Sequence, residues 1–192
     1  LMASGDGNHS LATAKETYEL RKKRIPAEQW DSIPARYALV ELVNLHDDAL
    51  QFEPIHRIVT EVSPDDLIAE LLQFFPGAHE GPGDGQSFVY LAGGKRGLIT
   101  IPQPTSKLTV GTLQEFLDAY TAKRGGKIDY IHGEDVVEAL SSRAGSVGFL
   151  LPAMGKEELF PAVMSDGVLP RKTFSMGEAN DKRFYLECRK IR

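Results

Sequence analysis

Apolar positions along the chain fall in runs whose period changes, and each change predicts a new element. From Ser10 to Lys23, Leu11, Ala14 and Tyr18 recur at helical spacing while Lys15, Glu19 and Lys22 point away, so a helix is predicted there. Pro26 and Pro34 bracket a connector that carries Trp30. Residues 36–45 are apolar on both faces, the pattern of a central strand. His46-Asp47-Asp48 turns the chain, and Phe52–Val62 reads as a second strand containing Pro54-Ile55-His56-Arg57.

A helix start follows. Ser63 suits the N-cap, Pro64 the first helical position, and Asp65 and Asp66 the first turn. Its apolar stripe is Leu67, Ile68, Leu71, Leu72 and Phe75. Residues 76–86 hold four glycines and two prolines in eleven positions, which predicts a flexible loop. Ser87–Ala92 and Gly97–Ile101 flank Gly93-Gly94 as a hairpin should. A helix over 109–123 with Leu113, Phe116, Leu117 and Tyr120 inward comes next. Lys127–His132 then reads as a strand, Gly133–Ser142 as a helix and Val147–Leu151 as a strand. A helix around Leu159–Met164 must place Pro161 in its first turn or kink there. Arg183–Arg189 alternates with Phe184, Leu186 and Cys188 on one face and is expected to close the sheet. The order β-β-α-β-β-α-β-α-β-α-β, with hairpins among crossovers, predicts an α+β fold: a mixed, largely antiparallel sheet covered by helices.

A length of 192 residues fits a single α/β domain. Within it, residues 1–24 form a motif loop with the first helix. Leu1-Met2-Ala3-Ser4 leaves no room for a strand ahead of that loop, although a phosphate-type loop normally follows one. The expectation is therefore the C-terminal portion of a longer protein, its preceding strand missing or supplied differently. No apolar run approaches the roughly 20 residues needed to cross a bilayer, and there is no charged-then-apolar leader. Cys188 is the one cysteine, so an internal disulfide and a multi-thiolate metal site are excluded and a reducing cytoplasm is expected. The net charge of −5 argues against a generic nucleic-acid surface, despite the clusters Arg21-Lys22-Lys23-Arg24 and Arg171-Lys172. The first of these suits the end of a helix, where cations complement the dipole. Oligomeric state is not readable from these patterns.

Gly5-Asp6-Gly7-Asn8-His9-Ser10 gathers an acid, an amide, an imidazole and a hydroxyl where a helix begins. Backbone N–H groups and the dipole favour an anion there. Asp-Gly is equally a common turn pair, and Asn8 or Ser10 can simply cap the helix. His56 and Arg57 are candidate ligand-binding residues, but they are adjacent in a strand, so at most one of them faces a given pocket, and a strand histidine equally suits a hydrogen-bonded structural role. Arg171, Lys172 and Thr173 could act as fork, point charge and hydroxyl donor to a phosphate or carboxylate, or form an exposed turn. His132, before Gly133-Glu134-Asp135 at a strand-to-helix junction, could serve as acid or base, while the two carboxylates also suit a helix first turn. Walker-type, His-Glu-x-x-His and Gly-x-Ser-x-Gly motifs are absent.

Three of these elements carry a resemblance. Asp6-Gly7-Asn8-His9-Ser10 before Leu11-Ala12-Thr13-Ala14 resembles an Asp-Gly-His-His-Arg motif ahead of an Ala- and Thr-rich helix. Pro54-Ile55-His56-Arg57 resembles a Pro-x-His-Arg strand segment, and Pro170-Arg171-Lys172-Thr173 a Pro-Arg-Lys-Ser/Thr element. In this order they resemble the family called domain of unknown function 1015, over essentially the whole chain. The loop is more remotely similar to the phosphate loop of the ParB/sulfiredoxin superfamily, in which partition proteins, sulfiredoxins and a free-serine kinase bind nucleotide phosphates. That resemblance implies a nucleotide or other phosphate-bearing small molecule held by Gly7, Asn8 and Ser10. Arg171 and Lys172, with Arg57, would neutralise its charge. It further implies phosphoryl transfer or nucleotide hydrolysis, with Asp6 or His9 as base or metal-orienting group and Mg²⁺ arriving with the nucleotide. Ser10 stands where the related loops keep arginine, and a hydroxyl does not replace a bidentate guanidinium. The alternative is a non-catalytic, ParB-like adaptor working with nucleic acid or a partner protein.

Overall fold

The computed structural model describes residues 2–4, 8–48 and 50–177, with residues 2–4, 8 and 9 described through their backbone alone. Two compact units divide the chain: Leu1–Leu50 with Met176–Arg192, and Gln51–Ser175. The strand expected at Arg183–Arg189, and Cys188 with it, lies outside the described residues.

In the first unit, β1 (Met2–Ser4) pairs antiparallel with β2 (Leu42–Asn44), Met2 opposite Asn44 and Ser4 opposite Leu42. Helix α1 (Asn8–Lys22) starts four residues after β1 ends. The expectation that nothing strand-like could precede the loop is therefore corrected. Three residues suffice when a distant segment supplies the ladder partner, and local periodicity does not reveal such a partner. The central strand expected over 36–45 is corrected too. Pro34 opens a 3₁₀ turn (Pro34–Arg36), only Leu42–Asn44 is strand, and Tyr37, Leu39, Val40 and Leu42 are exposed. A continuous apolar run becomes a central strand only where elements cover both of its faces, and among the described residues β2 pairs with β1 alone. Along α1, Lys22 lies over the rings of Tyr18 and Trp30, at 5.0 and 4.9 Å, and pairs with Glu19 at 3.0 Å. This basic residue works as a helix-end and packing group.

The second unit follows the predicted order closely. It comprises β3 (Phe52–Thr60), α2 (Pro64–Phe74), β4 (His79–Glu80), β5 (Gln86–Ala92) and β6 (Lys95–Ile101). Then come α3 (Thr109–Arg124), β7 (Lys127–His132), α4 (Glu134–Ser141), β8 (Ser146–Leu150), α5 (Leu159–Asp166) and the first two residues of β9 (Phe174–Met176). The sheet runs β4-β6-β5-β8-β3-β7, with β9 also pairing β3, and every pair of described register in it is antiparallel. Fold class is thus the expected α+β. In the glycine-rich stretch over 76–86, His79 and Glu80 form a short edge strand on β6. Gly93 and Gly94 take the positive φ values, 55° and 82°, that a two-residue hairpin turn needs. Pro161 falls in the first turn of α5, where its missing N–H is harmless.

Strand alternation sends side chains to two layers. Val59, Phe88, Ile99, Val147 and Phe149 face α2 and α3, where they meet Leu67, Leu71, Leu113, Phe116 and Leu117 in the main core. Leu91 and Leu150 face the opposite way and meet Val137 of α4. Gly148, between Val147 and Phe149, lets α4 approach: a Cβ there would lie 2.5 Å from Val137 Cγ1. The sheet therefore holds β3 between β8 and β7, and that position decides the surroundings of His56 and Arg57.

Candidate functional site

Alternation along β3 separates the two residues of the His56-Arg57 pair. Arg57 turns toward α3 and is fully buried. Its Nε donates to Gln114 Oε1 at 3.0 Å, Nη1 to the carbonyls of Ile55 (2.6 Å) and His56 (3.5 Å), and Nη2 to the carbonyl of Arg171 (3.3 Å). Gln114 is fixed in turn by donating to Asp118 Oδ1 at 2.8 Å, one helical turn along α3. The guanidinium also stacks on Tyr130, 4.6 Å from the ring centre, because Tyr130 of β7 stands opposite Arg57 in the ladder. Burial lowers the Arg57 pKa to about 10, against the opposing pull of Tyr130 and Asp118. It remains a cation at neutral pH.

The expected Pro170–Thr173 element comes to this same place. Its Arg171 carbonyl accepts from Arg57, and Lys172 Nζ sits 5.3 Å from the centre of the Tyr130 ring. The Arg171 and Lys172 side chains are exposed. The Thr173 hydroxyl is buried and donates to the Pro170 carbonyl at 2.6 Å, which closes the turn. Lys172 takes φ +52°, a left-handed conformation uncommon for a side chain of this size.

His56 faces the other way. It is 2% exposed, and its Nδ1 accepts the Leu151 backbone N–H at 3.1 Å, so the neutral ring carries its proton on Nε2. Burial lowers its pKa. Nearby His132 and Arg57 push the same way, and Glu134 partly opposes them. His132 ends β7, where Gly133 (φ +92°) swings the chain into α4. Its Nε2 is buried without a partner among the described residues. The structure thus brings Arg57 together with Arg171, Lys172 and Thr173, and sets His56 near His132 and Glu134 as a separate group.

The motif at the chain start belongs to the first unit. Asp6 and Gly7 lie outside the described residues, as do the side chains of Asn8 and His9. Ser10 is exposed in the first turn of α1, which holds no acidic residue to offset the positive end of the dipole. Among the described residues, no group of three or more His, Cys, Asp or Glu side chains is arranged to hold a metal ion. None of the described candidate residues lines the cleft of about 420 Å³ between α2 and the β5–β6 hairpin, bounded by Ile68, Leu72, Tyr90 and Lys95.

Tyr130, Gln114 and Asp118 escaped the sequence reading. The i, i+4 spacing of Gln114 and Asp118 is a local signal that could have found that pair. Tyr130 required the β3–β7 register. Among the described residues, no helix is long and apolar enough to cross a membrane.

A family model described as Protein of unknown function (DUF1015) matches residues 1–120. That span covers the chain-start motif and His56-Arg57, and leaves Pro170–Thr173 beyond it. Among solved structures, the chain is similar to a free serine kinase in complex with AMP, with a TM-score of 0.53 and 14% sequence identity. The likeness covers 79% of this chain and 65% of that one, so the chain spans about 65% of the kinase chain it matches. At this identity the likeness is one of fold. A comparison with curated proteins finds no match.

Proposed function

For a chain that belongs to the DUF1015 family of proteins of unknown function, we propose binding of a phosphate-bearing small molecule, a nucleotide, at the start of α1. The observation that carries this reading is that β1 ends at Ser4 and α1 begins at Asn8, with no acidic residue in the first turn of the helix. A strand followed after a short glycine-containing segment by a helix start is the order in which backbone N–H groups can converge on a phosphate. The kinase of similar fold is in complex with AMP, and this supports a nucleotide over a simple anion. Gly7 allows close backbone approach, while Asn8 and Ser10 offer polar side chains. We propose further, and separately from binding, phosphoryl transfer or nucleotide hydrolysis with Asp6 or His9 as base or metal-orienting group. Mg²⁺ would come coordinated to the phosphates.

The test is titration calorimetry with AMP, ADP and ATP, with and without Mg²⁺, against adenosine. The phosphorylated ligands bind, adenosine binds at least about tenfold more weakly, and His9→Ala weakens nucleotide binding by about tenfold. Equal affinity for adenosine and AMP, or no binding of any of them, refutes the reading. A nucleotide that binds and is never turned over removes the catalytic part alone.

A further inference from the structure

Arg57 is a fully buried cation with no carboxylate within ion-pair distance among the described residues. Each acceptor described above for its donors is a neutral oxygen. Proteins ordinarily pair a buried charge, and here Asp118, which accepts from Gln114, opposes it without a direct ion pair. One of those oxygens is the carbonyl of Arg171, whose exposed guanidinium is followed by the exposed ammonium of Lys172. Neither side chain has an ion-pair partner among the described residues. Lys172 and Arg57 share the Tyr130 ring, so positive charge is concentrated at this place. Lys172 also holds a left-handed backbone, φ +52°, which a non-glycine residue keeps only where its surroundings impose it. The surroundings here are the Arg57 bond to Arg171 and the Thr173 hydroxyl closing on Pro170.

We propose that the Pro170–Thr173 turn is an anion-recognition element for a phosphate or pyrophosphate group, with Arg171 as the fork, Lys172 as the point charge and Arg57 as the positioning residue that holds the turn from inside. A multiply charged phosphate matches two exposed cations backed by a buried third better than a single carboxylate does. Arg57 cannot itself touch the anion, because no part of it reaches the surface. Its role is to set the turn. The proposal rests on the nucleotide reading only for the choice of anion.

The experiment measures inorganic pyrophosphate affinity over a series of salt concentrations for the full chain and for Lys172→Gly, Arg171→Gln and Arg57→Gln. Glycine takes φ +52° without strain, so Lys172→Gly keeps or raises the Tm while pyrophosphate affinity falls about tenfold and its salt dependence flattens. Arg57→Gln lowers affinity in the native turn and has a smaller further effect in the Lys172→Gly background, where only Arg171 is left for the turn to position. Limited trypsin treatment gives a readout that needs no ligand: cleavage after Arg171 and Lys172 is faster in Arg57→Gln than in the native chain. Pyrophosphate affinity unchanged in both Lys172→Gly and Arg171→Gln overturns the site. Additive effects of Arg57→Gln and Lys172→Gly, or an unchanged trypsin pattern, overturn the positioning role. Absence of pyrophosphate binding in the native chain overturns the proposal outright. Pyrophosphate binding that depends on Lys172, in a chain indifferent to nucleotides, sustains this site while refuting the nucleotide reading.

Discussion

His56→Leu and His56→Asn separate two contributions of one buried imidazole to stability. The ring is 2% exposed, and its Nδ1 is the acceptor for the buried Leu151 N–H at 3.1 Å. Leucine retains comparable apolar bulk and offers no acceptor, so at pH 8 it leaves that N–H orphaned at a cost of about 1–3 kcal/mol. Each kcal/mol lowers the Tm of a chain of this size by roughly 2–4 °C. Asparagine brings back an acceptor on a shorter side chain and recovers part of the loss. Acid adds a second effect. Burial lowers the folded-state pKa of His56 below its ordinary value of 6.5, so the unfolded chain binds the proton more readily. The contribution is fully present above 6.5 and is lost as pH falls through the folded-state pKa, at about 1.36 kcal/mol per unit of lowering. Thermal and urea melts of the native chain and both variants from pH 8 to pH 5 provide the assay. The advantage of the native chain over His56→Leu should shrink steadily below pH 6.5. A difference that stays constant across that range refutes the buried-neutral assignment. Equal stability at pH 8 refutes the acceptor role.

Other substitutions probe the packing and the proposed sites. Gly148→Ala drives a Cβ to 2.5 Å from Val137 Cγ1 and 3.2 Å from Ser141 Cβ, and should destabilise by about 1–3 kcal/mol in urea melts, with hydrogen exchange rising first in α4. Tyr90→Phe removes the hydroxyl that donates to Glu80 Oε2 at 3.0 Å. It should cost about 0.5–1.5 kcal/mol, seen as a lower urea midpoint at unchanged slope. Ser10→Arg places a guanidinium in the first turn of α1, beside the phosphate proposed there. AMP affinity measured by calorimetry should rise about tenfold, and no gain would count against a phosphate at that helix start.

Much of the second unit was legible because its signals are local. Ser63-Pro64-Asp65-Asp66 marked the start of α2, Gly93-Gly94 marked the hairpin, and Leu113, Phe116, Leu117 and Tyr120 marked the buried face of α3. Caps, turns and periods of 2.0 and 3.6 are set by residues within a few positions of one another, so a single sequence carries them. Residues 36–45 carried an equally clear apolar signal and went the other way, because burial depends on what covers a strand. The candidate site divides along the same line. Alternation alone determined that His56 and Arg57 face opposite ways and cannot share a pocket. Only the tertiary structure decided that Arg57 is a buried clamp, since its partners Gln114, Tyr130 and Arg171 come from a helix, an edge strand and a distant turn. Ladder register and the stacking of α3 on the sheet bring those three together, and both arise from long-range packing that local residue patterns do not encode.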